Sequence, residues 1–317
     1  MKKILITGGA GFIAGSLAER LIQNPDYFVV IVDNLLTGKL ENLPQSGTNW
    51  KFIKADVNSY EDISAIMLSY SFDYVFHYAA VVGVQRTLTH PIMVLSDIEG
   101  IKNILSLAKN TGVQRVFYAS SSEVYGESVS YPQDEYNTPL NSRLPYAVVK
   151  NIGEAFCTSY HKEFGLDYTT FRFFNTYGLK QSADFVISKF IQAAVNDAPI
   201  TIHGDGSQSR TFCYIDDNID TAVYAFENNV CVNDVINIGS EVETSILELA
   251  EIIIDLTNSQ SKIVHLPPLE EGDMKRRLPD ASKMRQLLNR PPVTLREGLQ
   301  KVLELGHFKQ TRVEGKL

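Results

Sequence analysis

The chain has 317 residues, 44% hydrophobic and 21% charged, the profile of a soluble globular protein with length for one large α/β unit or two lobes around a cleft. A formal net charge of −8 argues against a nucleic-acid partner, which selects a basic face, yet leaves room for a small anion held by local arginines. Cys157, Cys213 and Cys231 are far apart and form no Cys-x-x-Cys or Cys/His cluster, so neither disulfides nor a metal site is expected; the N-terminal apolar run is too short for a signal peptide or a membrane span, and a cytoplasmic protein with reduced thiols is expected.

Lys3–Thr7 reads as a strand, and Gly8-Gly9-Ala10-Gly11-Phe12-Ile13-Ala14 follows it. Small residues here let the backbone pass close to a pyrophosphate at a helix N-terminus, where amides and the helix dipole favour negative charge. Gly8, Gly11, Phe12 and Ile13 are therefore candidates for dinucleotide contacts. Ser16–Ile22 has a helical pattern and Phe28–Val32 is the next strand. Asp33 closes that strand about 20 residues past the turn, with Asn34 after it. A carboxylate at this place accepts from the adenosine ribose hydroxyls and repels a 2′-phosphate, so NAD is expected over NADP. Asp56 and Val57, after the strand Phe52–Ile53, are expected at the adenine, although a plain loop aspartate fits Asp56 nearly as well.

The rhythm continues with a helix over Tyr60–Ser69, a strand at Tyr74–Phe76, a helix over Pro91–Asn110, a strand at Val116–Ala119, a helix over Tyr146–Phe164 and a strand at Tyr168–Phe174. Alternating β-branched strands and helices predict an α/β fold with a Rossmann-type doubly wound parallel sheet, whose ligands lie at the carboxyl ends of the strands. Ala79 and Ala80, after His77, permit close approach of a cofactor; His77 itself reads as a packing residue. Past about residue 178 the elements shorten and turns multiply, which predicts a smaller C-terminal substrate-binding lobe. Asn237-Ile238-Gly239 resembles a strand end, so the expected division is 1–178 and about 213–240 for the dinucleotide domain, with about 179–212 and 241–317 for the second lobe. The charged end after His307 is expected to be loose.

Chemistry is concentrated in Leu-Pro-Tyr146-Ala-Val-Val-Lys150. Residues four apart share a helix face, so the phenol and the ammonium can meet one ligand. A lysine cation beside a phenol favours the phenolate, which can then take a proton from a sugar hydroxyl while hydride leaves the same carbon. Ser121, one strand-to-helix connection upstream, is placed to hold the sugar oxygen. Tyr-x-x-x-Lys alone is equally ordinary helix surface; the glycine turn and the serine strand give it weight.

Together Thr7-Gly8-Gly9-Ala10-Gly11-Phe12-Ile13, Asp33-Asn34, His77-Tyr78-Ala79-Ala80, Ser120-Ser121-Ser122-Glu123-Val124-Tyr125-Gly126, Pro145-Tyr146 with Lys150, Asn175-Thr176-Tyr177-Gly178 and Arg210 before Tyr214-Ile215-Asp216-Asp217 resemble the extended short-chain dehydrogenase/reductases that modify nucleotide sugars, the NAD-dependent epimerase/dehydratase family. The resemblance covers nearly the whole chain. It implies oxidation of the sugar at C4 with bound NAD, change of the 4-keto sugar, and return of the hydride. Tyr146 would be the base, Lys150 would bind the nicotinamide ribose, and Ser121 would orient the C4 oxygen. Asn175 and Ser122 would touch the substrate, Arg210 would clamp its diphosphate, and Val186 with Thr201 to His203 would lie toward the nucleotide base. Ala14, Leu179 and Asp97 depart from the pattern, which has glycine, proline and asparagine at those places.

Glu123 separates the reactions. Ser121-Ser122-Glu123 resembles nucleotide-sugar decarboxylases and certain 4,6-dehydratases, where a carboxyl group near C5 and C6 moves protons or positions substrate. The stretches 206–214 and 275–280 resemble UDP-glucuronate decarboxylases, with Lys275 and Arg277 as further diphosphate contacts. Ala79–Arg86 is closer to epimerase loops; Arg86 would meet a sugar carboxylate or stay exposed. The expected activity is UDP-glucuronate decarboxylation, with UDP-sugar 4-epimerisation second and NDP-sugar 4,6-dehydration third. The resemblance also implies a two-fold homodimer through a four-helix bundle, with Ile101, Ile104 and Leu105 on one helix and Val148, Ile152 and Phe156 on the other available for it. No membrane or nucleic-acid partner and no metal are expected.

Overall fold

The structure, a computed structural model, describes residues 1–128, 130–268 and 276–306, without the side chains of Val84 and Gln85. Lys275 and the chain end after His307 lie outside the described residues.

In chain order the elements are β1 Lys2–Thr7, α1 Phe12–Leu21, β2 Tyr27–Asp33, β3 Trp50–Lys54, α2 Tyr60–Tyr70, β4 Tyr74–His77, α3 Val84–Thr89, α4 Pro91–Leu95, α5 Asp97–Thr111, β5 Arg115–Ser121, α6 Pro145–Phe164 and β6 Asp167–Phe173. After these come β7 Thr176–Tyr177, α7 Val186–Val195, β8 Ile200–His203, β9 Ser209–Thr211, β10 Cys213–Tyr214, α8 Ile215–Glu227, β11 Asp234–Ile238, β12 Glu243–Ser245, α9 Ile246–Thr257, β13 Ile263–Leu266, α10 Ser282–Leu288 and α11 Leu295–Leu305. A seven-stranded sheet runs β11-β6-β5-β4-β1-β2-β3, parallel throughout. This is the Rossmann-type doubly wound sheet expected from the strand runs. β12 pairs with β9 and β13 with β8 outside it.

Continuous apolar strands bury both sheet faces. On one face Phe76 stacks on Phe117 at 4.3 Å, Phe117 on Phe171 at 6.0 Å, and Phe226 of α8 meets Phe76 and Phe117 edge-on. Each such ring contributes about 1.5–3 kcal/mol through burial. The opposite face is covered by α2, α5 and α6, through Ile63, Met67, Ile101, Ile104, Leu105, Val149 and Cys157.

Two differences from expectation bear on function. The helix expected over Pro91–Asn110 is divided at Ser96, so Asp97 opens α5. Its carboxylate turns inward to the Val81 amide at 2.7 Å. Ile101, Ile104 and Leu105 are at most 2% exposed within this one chain, because they face the sheet and not outward. Outward apolar surface lies instead on α4, where Ile92 is 75% exposed.

Candidate active site

The turn after β1 is built for close contact. Gly8 has φ +70°, and a Cβ there would come within 2.7 Å of the Ala79 main chain. Gly11 donates to the Gly8 carbonyl at 2.9 Å and caps α1 without a side chain, leaving the first-turn amides of Phe12 and Ile13 directed at the turn. These features suit a dinucleotide pyrophosphate. Thr7 locks the neighbouring loop: its Oγ1 accepts from the amides of Tyr78 and Ala79, each at 3.2 Å, and bonds His77 Nδ1 at 2.8 Å. Burial drives the His77 pKa down to about 3, with the Lys150 charge adding to it, so the ring is neutral and serves packing, as its sequence context suggests.

Asp33 sits at the end of β2, nearly buried, accepting from Ala10 N at 3.0 Å and Leu35 N at 2.7 Å. Burial raises its pKa and these two bonds oppose the rise. Asp56 accepts from Asn34 Nδ2 at 3.1 Å and from Asn58 N at 2.9 Å, so Asn34 and Asp56 close the ends of β2 and β3, with Val57 buried beside them. Ala79 and Ala80 are partly exposed at the end of β4.

Pro145 at the first turn of α6 presets its start, and Gly165 ends it in the left-handed region. Tyr146, Lys150 and Glu154 fall four apart on one face. Lys150 Nζ donates to the Ala119 carbonyl at 2.6 Å and lies 5.7 Å from the Tyr146 ring centroid. Burial lowers the Lys150 pKa to about 8, while Asp97 and Glu154 hold it up. The Tyr146 phenol is pushed far above its ordinary value, first by burial and then by Glu123; a hydrogen bond with Ser121 and the charge of Arg277 work against this. The sequence suggested that Lys150 would favour the phenolate. In the structure desolvation outweighs that effect, and the pull on the phenol comes from Ser121 and Arg277. Ser121 also accepts from Glu123 N at 3.2 Å, and Ser122 is buried beside it.

Arg277 enters from 154 residues away and pairs with Glu123 at 3.4 Å. It is 8% exposed, and its Nε is buried without a partner among the described residues. The structure therefore draws Ser121, Glu123, Tyr146 and Arg277 into one cluster with Lys150 below. The remaining sequence candidates make other contacts. Arg86 donates to the Val82 carbonyl at 2.7 Å within its own loop. Asn175 accepts from Cys213 N at 2.9 Å through its main chain, and Val186 opens α7. Thr201 is exposed on β8, His203 Nδ1 lies 3.0 Å from the Pro267 carbonyl, and Arg210 on β9 donates to the Ser209 carbonyl at 2.7 Å.

Sequence reading missed the network behind the cluster. Glu154 accepts from Ser120 Oγ and from Arg172 Nε and Nη2 at 2.9 and 2.7 Å, both side chains being largely buried. Arg172 also donates to Tyr125 OH at 2.8 Å, and Tyr125 donates to Asn237 Oδ1 at 2.7 Å. The available signal was the position of Glu154 one turn past Lys150.

A model of the family described as "NAD dependent epimerase/dehydratase family" matches residues 4–239. The chain is similar to the UDP-N-acetyl-alpha-D-glucosaminuronate decarboxylase of Bacillus cytotoxicus, with 35% identity over 96% of this chain and 97% of that protein. It is similar to UDP-glucuronic acid decarboxylase 1 of Danio rerio, with 34% identity over 96% of this chain and 72% of that one. Its structure is similar to that of a UDP-glucose 4-epimerase with UDP-glucose from Thermotoga maritima: TM-score 0.89, 30% identity, 95% of this chain and 97% of that one.

Proposed function

Since the chain belongs to the NAD dependent epimerase/dehydratase family and is an NAD-dependent enzyme that modifies nucleotide sugars, we propose that its reaction is decarboxylation of UDP-glucuronate through a 4-keto intermediate. The observation that carries this reading is the Arg277–Glu123 pair beside Tyr146. A guanidinium beside the Tyr146 phenol is suited to a sugar carboxylate, which it can take in fork geometry. An unmodified hexose offers only hydroxyls there.

Residues of the glycine turn, Asp33 and Lys150 would hold NAD, which would supply an acceptor for the C4 hydride. Tyr146 takes the C4 hydroxyl proton while Ser121 holds the oxygen. The ketone at C4 then acts as an electron sink. The C5–C6 bond breaks, carbon dioxide leaves, and the electron pair passes into the C4 enolate. C5 regains a proton, which Glu123 delivers or directs, and Tyr146 returns its proton as C4 is reduced. In this reading the substrate spans from the cluster toward Arg210, Asn175, Val186, Thr201 and His203, between an NAD-binding part (1–178 and about 213–240) and a nucleotide-sugar part (about 179–212 and 241–317).

A 4-epimerase is the second reading. The likeness to the Thermotoga maritima enzyme favours it, and a carboxylate can be held by Arg277 without being lost. Incubating the protein and NAD with UDP-glucuronate, its N-acetylated 2-amino analogue and UDP-glucose, and weighing the products, separates the two. Loss of carbon dioxide supports decarboxylation, and an unchanged mass with altered chromatographic mobility overturns it. The homodimer belongs to the same reading: Ile92, Met93 and Leu95 of α4 are exposed next to α6, whose Ile152, Phe156 and Tyr160 are partly exposed.

A further inference from the structure

Glu123 and Arg277 meet at 3.4 Å, yet neither belongs to the seven-stranded sheet. Glu123 sits in the short 3₁₀ turn Ser122–Tyr125, and Arg277 in the irregular stretch 276–280. What sets their spacing is polar and converges on β11. Gln133 N donates to the Leu278 carbonyl at 2.7 Å and Asp280 N to the Gln133 carbonyl at 2.8 Å, a short parallel bridge around Pro279. Asn237 Nδ2 donates to both sides of this bridge, to the Gln133 carbonyl at 2.9 Å and the Asp280 carbonyl at 3.2 Å. Its Oδ1 accepts from Tyr125 OH at 2.7 Å. A carboxamide offers an acceptor and two donors from one planar group, and this junction uses all three.

Tyr125 ends the turn that bears Glu123, and Pro279 lies two residues past Arg277, so one side chain ties both carriers of the pair. Each carrier is also seated from behind. Arg172 Nη1 donates to Tyr125 OH at 2.8 Å and to the Glu135 carbonyl at 3.1 Å, and Asn237 N donates to Glu135 Oε1 at 2.9 Å. Gly239, just past β11, lets the other carrier approach: a Cβ there would stand 3.0 Å from the Pro279 ring and 2.8 Å from Phe174 Cβ. Tyr125 and Asn237 are fully buried, so a bond lost at this junction is not replaced by water. The Arg172–Glu154 pair runs instead to Ser120 and α6. The side-chain bonds of Asn237 all end on the two segments that carry Glu123 and Arg277.

We propose that Asn237 is a positioning residue for sugar selection: through Tyr125 on one side and the Gln133–Asp280 bridge on the other, it sets the spacing of Glu123 and Arg277 and with it the grip on a sugar carboxylate. This rests on the reading of Arg277 as the contact to that carboxylate. Asn237 itself touches neither sugar nor cofactor, and Arg277 carries its effect. Asn237→Asp is the informative change. It is isosteric and keeps an acceptor for Tyr125, but its anion has no donor for the two carbonyls and its acid form has one. The stretch 276–280 is released while Ser121, Tyr146 and Lys150 keep their supports on β5 and α6.

The test is a double-mutant cycle on wild type, Asn237→Asp, Arg277→Met and the double variant, each loaded with NAD and titrated in the calorimeter with UDP-glucuronate and UDP-glucose. Asn237→Asp should cut the preference for UDP-glucuronate at least about fivefold, and in the Arg277→Met background it should change that preference by less than about twofold. An equal loss for both sugars, or the same loss with and without Arg277, would overturn the proposal and leave Asn237 a fastener of the fold. If Asn237→Asp does not fold, Tyr125→Phe, which removes one hydroxyl from the same junction, takes its place in the cycle with the same expectation. If Arg277→Met leaves the preference unchanged, the carboxylate reading fails, and a crystal structure of the Asn237→Asp or Tyr125→Phe protein decides this inference alone. Arg277 displaced from Glu123 upholds it, and Arg277 still paired with Glu123 overturns it.

Discussion

Replacing Arg277 by methionine keeps much of the buried volume and removes the charge that faces the sugar. The Arg277 side chain is 10% exposed and its partner Glu123 is 23% exposed, at 3.4 Å from each other. A carboxylate gripped by the Arg277 guanidinium makes a charge-assisted hydrogen bond of about 1.5–3 kcal/mol. Losing one such bond weakens binding by about 10- to 150-fold. Glu123 is left without its partner whichever sugar is present, so that cost cancels when two substrates are compared. The quantity to measure is therefore the ratio of dissociation constants for UDP-glucuronate and UDP-glucose, by calorimetry on the NAD-loaded protein. Arg277→Met should weaken UDP-glucuronate at least about tenfold more than UDP-glucose. An equal loss for both would refute the reasoning. It would put Arg277 at the diphosphate, where the sequence alone had suggested it.

NAD should bind more tightly than NADP by about 1.5–3 kcal/mol, because the 2′-phosphate would displace a hydrogen bond to the Asp33 carboxylate and meet its charge; calorimetry on cofactor-free protein with each dinucleotide checks this, and equal affinity rejects it. Glu123→Gln should leave oxidation at C4 largely intact and slow the following step by about 10²–10⁴, so NADH accumulates in stopped flow, whereas Tyr146→Phe should show no NADH; a Glu123→Gln enzyme turning over at the wild-type rate removes Glu123 from the mechanism. Light scattering at micromolar concentration should give the mass of two chains, and Ile92→Glu on the exposed face of α4 should lower it to one; a monomeric wild type would end the dimer reading.

The order of strands and the cofactor turn were legible because local chemistry states them. Val29 to Val32 can only be a buried strand, and Gly8 occupies a backbone shape that other residues rarely take. Tyr146 and Lys150 were legible from helical spacing. Less could be read where long-range packing decides. Nothing near Arg277 in sequence signals Glu123, which lies 154 residues away. The balance on the Tyr146 phenol depends on how completely α6 and β5 exclude water, a quantity absent from any local pattern. Pro91–Asn110 has an unbroken helical pattern, and only the pull of the Val81 amide on Asp97 marks the division at Ser96.

The edge strand β11 has a consequence for how the protein is made. β6 pairs with it along Thr169 to Phe173, and Asn237 within it bonds Tyr125 OH, the Gln133 carbonyl and the Asp280 carbonyl. On a ribosome, the first six strands of the sheet emerge well before their last neighbour does. Until residue 238 has left the exit tunnel, β6 presents a row of open backbone donors and acceptors, the kind of edge that recruits other chains. A fragment that stops at residue 178 keeps that edge permanently and should aggregate through it, so a separable NAD-binding unit needs residues 234–238 supplied in cis or as an added strand.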